Sequence, residues 1–151
     1  MLPKRILVPT DLDEGALEAL EVACDLGRPF GATIYLVNAV TLPALGAPEL
    51  GMALTGAAVD GMIADNLHAL EKLVSERRGR ATFAPPIVTS GDSVSVILDT
   101  ATQYAVDMIV MTTHGRRGVS RMLLGSVTER VVRSAPCPVL TVRFHAHEAA
   151  A

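Results

Sequence analysis

The hydrophobic pattern of the chain alternates between short continuous apolar runs and longer stretches in which apolar residues recur every three or four positions. Continuous runs are typical of strands buried on both faces, and the spaced stretches are typical of amphipathic helices. The pattern predicts strands at 4–9, 33–40, 81–89, 107–111 and 139–142, and helices at 14–27, 57–78, 94–105 and 126–134. The segment 41–55 is apolar without a period, so it is interpreted as a connector or as a mobile flap or partner contact.

Local signals refine several of these elements. Asp13 is placed to cap the first helix and Ser93 the third, because a side-chain oxygen there accepts a hydrogen bond from a free helix N–H group. Pro85-Pro86 predicts an edge position or a bulge for the third strand, since proline has no N–H to donate. The core-facing residues are expected to be Ile63, Leu67, Leu70 and Val74 on the second helix and Ile97, Leu98, Ala101 and Ala105 on the third.

An alternation of strands and helices predicts the α/β class, here as a doubly wound, five-stranded parallel sheet of order 3-2-1-4-5. Ligands of such sheets bind beyond the carboxyl ends of the strands, where the strand order reverses. In this order, Pro9-Thr10-Asp11 and the glycine-rich segment after the fourth strand face one crevice. We expect one domain over 1–144 and a disordered tail over 145–151.

Composition narrows the possible partners. Half of the 151 residues are hydrophobic, 3% are aromatic, and the formal net charge is −3. Few aromatic rings and a mildly acidic balance argue against nucleic acid as a partner. No apolar stretch approaches the roughly 18 residues of a membrane span, so we expect no membrane association. The two cysteines lie far apart without metal or disulfide spacing, which favours a cytoplasmic location.

The segment 112–126 carries the most distinctive chemistry of the chain. It follows a buried strand and contains Gly115, Gly118 and Gly125 before the helix that begins at Ser126. Glycine lets a ligand approach the backbone closely, and the free N–H groups of a helix N-terminus bind phosphate. These residues therefore predict a phosphate site, with an ordinary helix cap as the alternative for Gly125-Ser126.

Side chains around this segment have two interpretations each. Arg116, Arg117 and Arg121 could pair with phosphates or form a solvated surface, and at least one of them is expected to be solvated. His114 could reach the ligand or form a hydrogen bond that stabilises the loop. The segment is not a P-loop because it lacks Gly-Lys-Ser/Thr, and no GxGxxG follows the first strand.

Asp11 is the candidate for a sugar or metal contact. A carboxylate beside a triphosphate would be repelled, so Asp11 is assigned to ribose hydroxyls or to a hydrated Mg²⁺, with a turn or capping role as the alternative. Thr10 and Ala39 would supply backbone contacts to a base. No catalytic residue is assigned, because no Ser/His/Asp or Cys/His constellation and no general base can be assembled. No metal site is assigned either, since the histidines of the tail have no further ligand.

Several segments together form a pattern that spans nearly the whole chain. They are Ile6-Leu7-Val8-Pro9-Thr10-Asp11, Leu36-Val37-Asn38-Ala39, Ser90-Gly91-Asp92, Asp107-Met108-Ile109-Val110-Met111 and Ala135-Pro136-Cys137-Pro138-Val139-Leu140. With them, the chain resembles the nucleotide-binding branch of the universal stress protein family. The ATP loop of that family, G-x2-G-x9-G-(S/T), is matched by Gly115 and by Gly125-Ser126. Thr112 replaces the first glycine, and Asn38-Ala39 stands where the family often has His-Val.

The resemblance implies a Rossmann-like adenine-nucleotide-binding fold whose ligand is ATP, with or without Mg²⁺. The base would lie near Ala39 and Asp11, the ribose on Asp11 and Gly115, and the phosphates on Gly125-Ser126. The expected nucleotide-binding residues are Pro9, Thr10, Asp11, Ala39, Met111, Thr112, His114, Gly115, Arg116, Gly118, Gly125, Ser126 and Val127.

The resemblance also implies a function and an assembly. The expected function is an ATP-dependent regulator or sensor in the stress response, with little or no hydrolysis. The alternatives are an interaction protein of the same fold that binds no nucleotide, with Thr112 closing the site, and a slow ATPase. A homodimer is expected to form through the apolar edge strand Val139, Leu140, Thr141 and Val142, which would be a liability if left open.

Overall fold

In the computed structural model of the protein, the structure describes residues 2–41, 56–113 and 125–143. The described strands are β1 (Arg5–Pro9), β2 (Thr33–Val40), β3 (Thr82–Phe83), β4 (Ile87–Ser90), β5 (Met108–Thr112) and β6 (Val139–Val142). The described helices are α1 (Glu14–Gly27), α2 (Gly56–Arg77), α3 (Ser93–Gln103) and α4 (Ser126–Ser134), with a short 3-10 helix at Arg28–Phe30. The interpretations given for the 41–55 loop beyond Thr41 and for the tail lie outside the described residues.

All strand pairs of the sheet are parallel, and their order is β3-β2-β1-β5-β6, with β4 also paired to β2. The predicted strand order 3-2-1-4-5 is therefore confirmed, with one difference. The predicted third strand is two short strands, β3 and β4, which both pair with β2. Its interruption has a local cause: Ala84 N–H donates to Ile34 O, and the two prolines that follow have no N–H group. Pairing resumes where Ile87 lies opposite Val37.

Helices cover both faces of the sheet and bury one apolar cluster on each. On one face, strand residues such as Ile6, Val8 and Leu36 pack against α1 and against Leu70 and Val74 of α2. On the other face, the buried residues of α3 and α4 pack against Leu7, Val37, Ile109 and Met111. The sheet is thus doubly wound, as the sequence predicts.

Two details of the helices differ from the sequence-based expectations. α3 is capped by Asp92 rather than Ser93, because the Asp92 carboxylate accepts a hydrogen bond of 3.0 Å from Ser95 N–H. Ala105 follows the end of α3 and is exposed with φ 45°, so it does not face the core. The expected cap of α1 is confirmed, since Asp13 Oδ1 accepts from Ala16 N–H at 2.8 Å. Of the helices that the structure describes, none is both long and apolar enough to span a bilayer.

Candidate functional site

The point where the strand order reverses lies between β1 and β5. After β1 the chain turns into α1 on one face of the sheet, and after the β5–α4 segment it enters α4 on the other face. Parallel pairing aligns Ile6 with Met108, so the carboxyl ends of β1 and β5 meet at one edge of the sheet. Of the predicted site residues that the structure describes, five lie at these two strand ends: Pro9, Thr10, Asp11, Met111 and Thr112.

The turn after β1 is closed by its own side chains. Thr10 Oγ1 accepts a hydrogen bond of 3.0 Å from Leu12 N–H, and Asp11 Oδ1 accepts one of 3.3 Å from the N–H of Asp13. Between them, Leu12 adopts φ 67°, a left-handed conformation that costs about 1–2 kcal/mol for a residue other than glycine. Strained backbone of this kind persists only where neighbouring contacts hold it, and it is concentrated at functional sites.

The backbone of Thr10 is already engaged within the protein. Its N–H donates to Val37 O at 2.9 Å, and its carbonyl accepts from Asn38 Nδ2 at 2.8 Å. The prediction that Thr10 offers its backbone to a base therefore does not hold for its N–H group. Ala39 is better placed. Thr33 N–H and Val37 O of β2 both point to β1, and every second residue of a strand directs its backbone groups to the same neighbour. Ala39 therefore presents its backbone on the β1 side, beyond the end of β1.

Two hydrogen bonds join the end of β5 to the start of α4. Gly125 N–H donates to Thr113 O at 2.7 Å, and the buried hydroxyl of Thr128 donates to Thr112 O at 2.8 Å. Thr113 N–H in turn donates to Val142 O of β6 at 2.9 Å. The first residues of α4 are therefore fixed beside the strand end on which the candidate crevice opens.

Within the part of the chain that the structure describes, no side chain caps the N-terminus of α4. Its N-cap residue is Gly125, whereas Asp13 caps α1 and Asp92 caps α3 with their carboxylates. Ser126 is exposed and Val127 is partly buried against the α3–α4 cluster. A helix N-terminus carries a partial positive charge and favours an anion. Glu129 lies in the first turn of α4, and its carboxylate pairs with Arg133 at 2.9 Å.

Thr112 lies on the face of the sheet opposite α4. Strand residues alternate between the two faces, and Met111 belongs to the α3–α4 cluster whereas Val110 belongs to the α1–α2 cluster. The Thr112 side chain therefore points to the α1 side, away from the N-terminus of α4. This placement bears directly on the idea that Thr112 closes the site.

The remaining predicted site residues, His114, Gly115, Arg116 and Gly118, lie outside the described residues, as do Arg117 and Arg121. The described part of the site also contains three residues that the sequence analysis did not assign to it: Asn38, Asn66 and Thr128. Thr128 holds α4 to β5, and Asn38 holds the turn after β1 and accepts a hydrogen bond of 2.8 Å from Asn66. Two signals in the sequence could have indicated Asn38: it is a polar residue within an apolar strand, and it stands where the family often has histidine.

Other chemistry in the described ranges lies away from this crevice. Burial raises the pKa of the Cys24 and Cys137 thiols, so both stay protonated at neutral pH and neither is an activated nucleophile. Within residues 2–41, 56–113 and 125–143, no group of three His, Cys, Asp or Glu side chains could hold a metal ion. A groove of about 1010 Å³ runs between α2 and residues 81–86, at the β3 edge of the sheet, and contains none of the predicted site residues.

Comparison with known proteins relates the chain to one family. The universal stress protein family model matches residues 3–143. A universal stress protein of Methanocaldococcus jannaschii, MJ0531, is 33% identical over 148 residues, which cover 94% of this chain and 83% of that protein.

Solved structures show the same fold. The structure of the hypothetical protein MJ0577 of the same organism has a TM-score of 0.82 and 25% identity, over 97% of this chain and 99% of that one. A universal stress protein family protein of Arabidopsis thaliana with AMP bound has a TM-score of 0.64 and 21% identity, over 99% and 97% of the two chains. With its fold and with a family match over nearly its whole length, the chain belongs to the universal stress protein family.

Proposed function

We propose that the chain binds ATP in the crevice between the ends of β1 and β5. The observation that carries this proposal is the N-terminus of α4, whose N-cap residue is Gly125 and which is fixed to the end of β5 by hydrogen bonds from Gly125 and Thr128. Its N–H groups suit a phosphate. The relative from Arabidopsis thaliana with AMP bound supports an adenine nucleotide as the ligand class.

Each part of the nucleotide has a matching group in this arrangement. The phosphates lie at the N–H groups of Ser126 and Val127, because the N–H group of Gly125 already donates to Thr113 O, and Gly115 is proposed as a further donor. The ribose hydroxyls bind the carboxylate of Asp11, whose turn is held by hydrogen bonds from within. The base lies beside the backbone of Ala39, where β1 has ended. Mg²⁺ accompanies the triphosphate without a dedicated set of protein ligands.

The role proposed for this binding is regulation in the stress response, in the cytoplasm, with little or no hydrolysis. A hydrolase needs a general base for water, and the described carboxylates next to the crevice have other roles. Asp11 is proposed to bind the ribose, Asp13 caps α1, and Glu129 pairs with Arg133 at 2.9 Å. Slow ATP hydrolysis therefore ranks below simple binding.

An interaction protein that binds no nucleotide is the second candidate. In this candidate, Thr112, which replaces the first glycine of the ATP loop, closes the site. The Thr112 side chain points away from the N-terminus of α4, but it lies on the face of the sheet on which the turn with Asp11 enters α1. We also propose that the protein is a homodimer paired through the edge strand Val139, Leu140, Thr141 and Val142.

The phosphate site is tested with one charge placed at either end of α4. Ser126→Asp puts a carboxylate where the phosphates bind, and we expect it to abolish ATP binding measured by calorimetry. The same change should stabilise the free protein by about 0.3–1 kcal/mol, because a negative charge at a helix N-terminus is favourable. Ser134→Asp adds an equal charge at the exposed last residue of α4 and should leave ATP binding intact. Equal affinity in the two variants would contradict the placement of the phosphates.

A further inference from the structure

Asn38 is a buried polar residue at the carboxyl end of β2, only 5% exposed. Both ends of its amide are used. Nδ2 donates to the carbonyl of Thr10 at 2.8 Å, and Oδ1 accepts from Nδ2 of Asn66 at 2.8 Å. The Asn38 side chain, at the end of β2, therefore connects the turn after β1 with helix α2.

The contact of Asn38 fixes the peptide that leads into Asp11. Thr10 N–H is held by Val37 O and its carbonyl by Asn38, so both sides of this residue are tied to β2. The following residues depend on that anchor, because Leu12 adopts a left-handed conformation that its own preferences oppose. The orientation of the Asp11 carboxylate follows from the path of this turn.

The orientation of the Asn38 amide is set by two contacts, the Thr10 carbonyl at its nitrogen and Asn66 at its oxygen. An asparagine side chain can turn over and exchange its oxygen and nitrogen, and only the donor faces Thr10 O usefully. Because Asn66 donates to Oδ1, it keeps Nδ2 directed at Thr10. Asn66 lies in the amino-terminal half of α2, where Ile63 and Leu67 are only partly buried, and it needs no contact with a ligand to act in this way.

We propose that Asn38 and Asn66 are positioning residues of the nucleotide site, with Asn66 acting on the Thr10–Asp13 turn through Asn38. This inference rests on the proposed function for its consequence in binding, but its structural part is independent of any ligand. A merely structural amide pair would stabilise the protein as a whole. A positioning pair must instead change the turn and the nucleotide affinity locally.

The first experiment measures amide hydrogen exchange by NMR in the protein without nucleotide. The N–H groups of Leu12 and Asp13 are the reporters, because each donates to a side chain of the turn. Asn66→Leu removes the donor to Asn38, and we expect exchange at both reporters to rise by about tenfold, the equivalent of one lost hydrogen bond. Asp65→Asn, a conservative change at the neighbouring exposed position, should leave the exchange rates of both reporters unchanged.

The second experiment measures the dissociation constant for ATP in the same variants by calorimetry. Asn66→Leu should weaken binding by about tenfold, and Asn66→Gln, which keeps an amide donor at this partly exposed position, should restore most of the affinity. Unchanged exchange at Leu12 and Asp13 in Asn66→Leu would overturn the positioning role, whatever the affinity. A wild-type protein that binds no ATP would overturn the proposed function, and the exchange result would still decide the positioning role.

Discussion

Thr128 is a single residue on which the geometry of the candidate site depends. Its hydroxyl is buried in the first turn of α4 and donates to the carbonyl of Thr112 at 2.8 Å. Together with the bond from Gly125 to Thr113, it sets where α4 begins relative to β5. A side chain that never touches a ligand can therefore decide whether the helix N-terminus faces the crevice.

Replacing Thr128 with valine keeps the shape of the side chain and removes its donor. The Thr112 carbonyl then loses a partner in a partly buried position, so we expect the free energy of unfolding to fall by about 1–3 kcal/mol. Urea unfolding measures this change. Thr128→Ser keeps the hydroxyl and should retain most of the stability, and a valine variant as stable as the serine variant would show that the bond contributes nothing.

Residue-level contacts could be predicted from the sequence only where both partners are close along the chain. Asp13 could be identified as the cap of α1 because its acceptor role involves Ala16, three positions away. The contact of Asn38 with Thr10 joins residues 28 positions apart, and it exists only because β1 and β2 are neighbours. Nothing local in the sequence specifies such a pair.

At the scale of elements, α1 and α2 are joined by charged side chains where α2 ends. Arg77 Nε contacts Glu21 Oε1 at 2.7 Å, and Arg80 pairs with both Glu21 and Asp25. Partial burial of Glu21 acts to raise its pKa, but the hydrogen bonds from Arg77 and Arg80 outweigh it and lower the pKa below the ordinary value of 4.5. The pairing therefore stabilises the folded state whenever Glu21 is ionised.

The contribution of Glu21 should depend on pH in a defined direction. A carboxyl whose pKa is lower in the folded state stabilises the protein above its unfolded pKa and loses that contribution as the pH falls through the folded pKa. Because these groups are partly exposed and screened by solvent, we expect Glu21→Gln to cost about 0.5–1 kcal/mol at neutral pH and nothing in strong acid. Chemical denaturation from neutral pH to strong acid measures this cost in the free energy of unfolding, with Glu71→Gln at an exposed position as the control. A cost that is the same at every pH would contradict the assignment.

Most elements could be predicted because each depends on its own periodicity. The break in the third strand could be expected from Pro85-Pro86, although its form as two strands on one neighbour could not. The predicted inner face of α2 was partly wrong: Leu70 and Val74 are buried, whereas Ile63 and Leu67 are only partly buried in the described structure. Periodicity shows which residues share a face but not how far the helix extends past the sheet.

At the scale of the whole molecule, strand β6 is the edge that the proposed homodimer would cover. Leu140 is 38% exposed on this strand, and an open apolar edge favours pairing with another chain. We expect the protein to be a dimer by size-exclusion chromatography with light scattering, and Leu140→Lys to yield monomers. Met62→Lys changes a residue of similar exposure on α2 and should leave the dimer intact. A Leu140→Lys protein that stays dimeric would place the interface elsewhere.

The strand order and the position of the crevice could be predicted from the sequence because they follow from how strands and helices alternate. The arrangement of the candidate site could be predicted only in part. The positions of Asp11 and Gly125-Ser126 follow from a strand end and a helix start, whereas the contacts of Asn38, Asn66 and Thr128 are tertiary. The side of the sheet on which Thr112 lies also required the three-dimensional arrangement.

The central claim is that the crevice between β1 and β5 binds an adenine nucleotide, and direct titration is its most direct test. The purified protein is unfolded and refolded to remove any bound ligand, and ATP with Mg²⁺ is then titrated by calorimetry. We predict saturable binding of one nucleotide per chain, and a melting temperature raised by roughly 5–10 °C at 100 times the dissociation constant. Neither heat nor a change in melting temperature up to millimolar ATP would contradict the account.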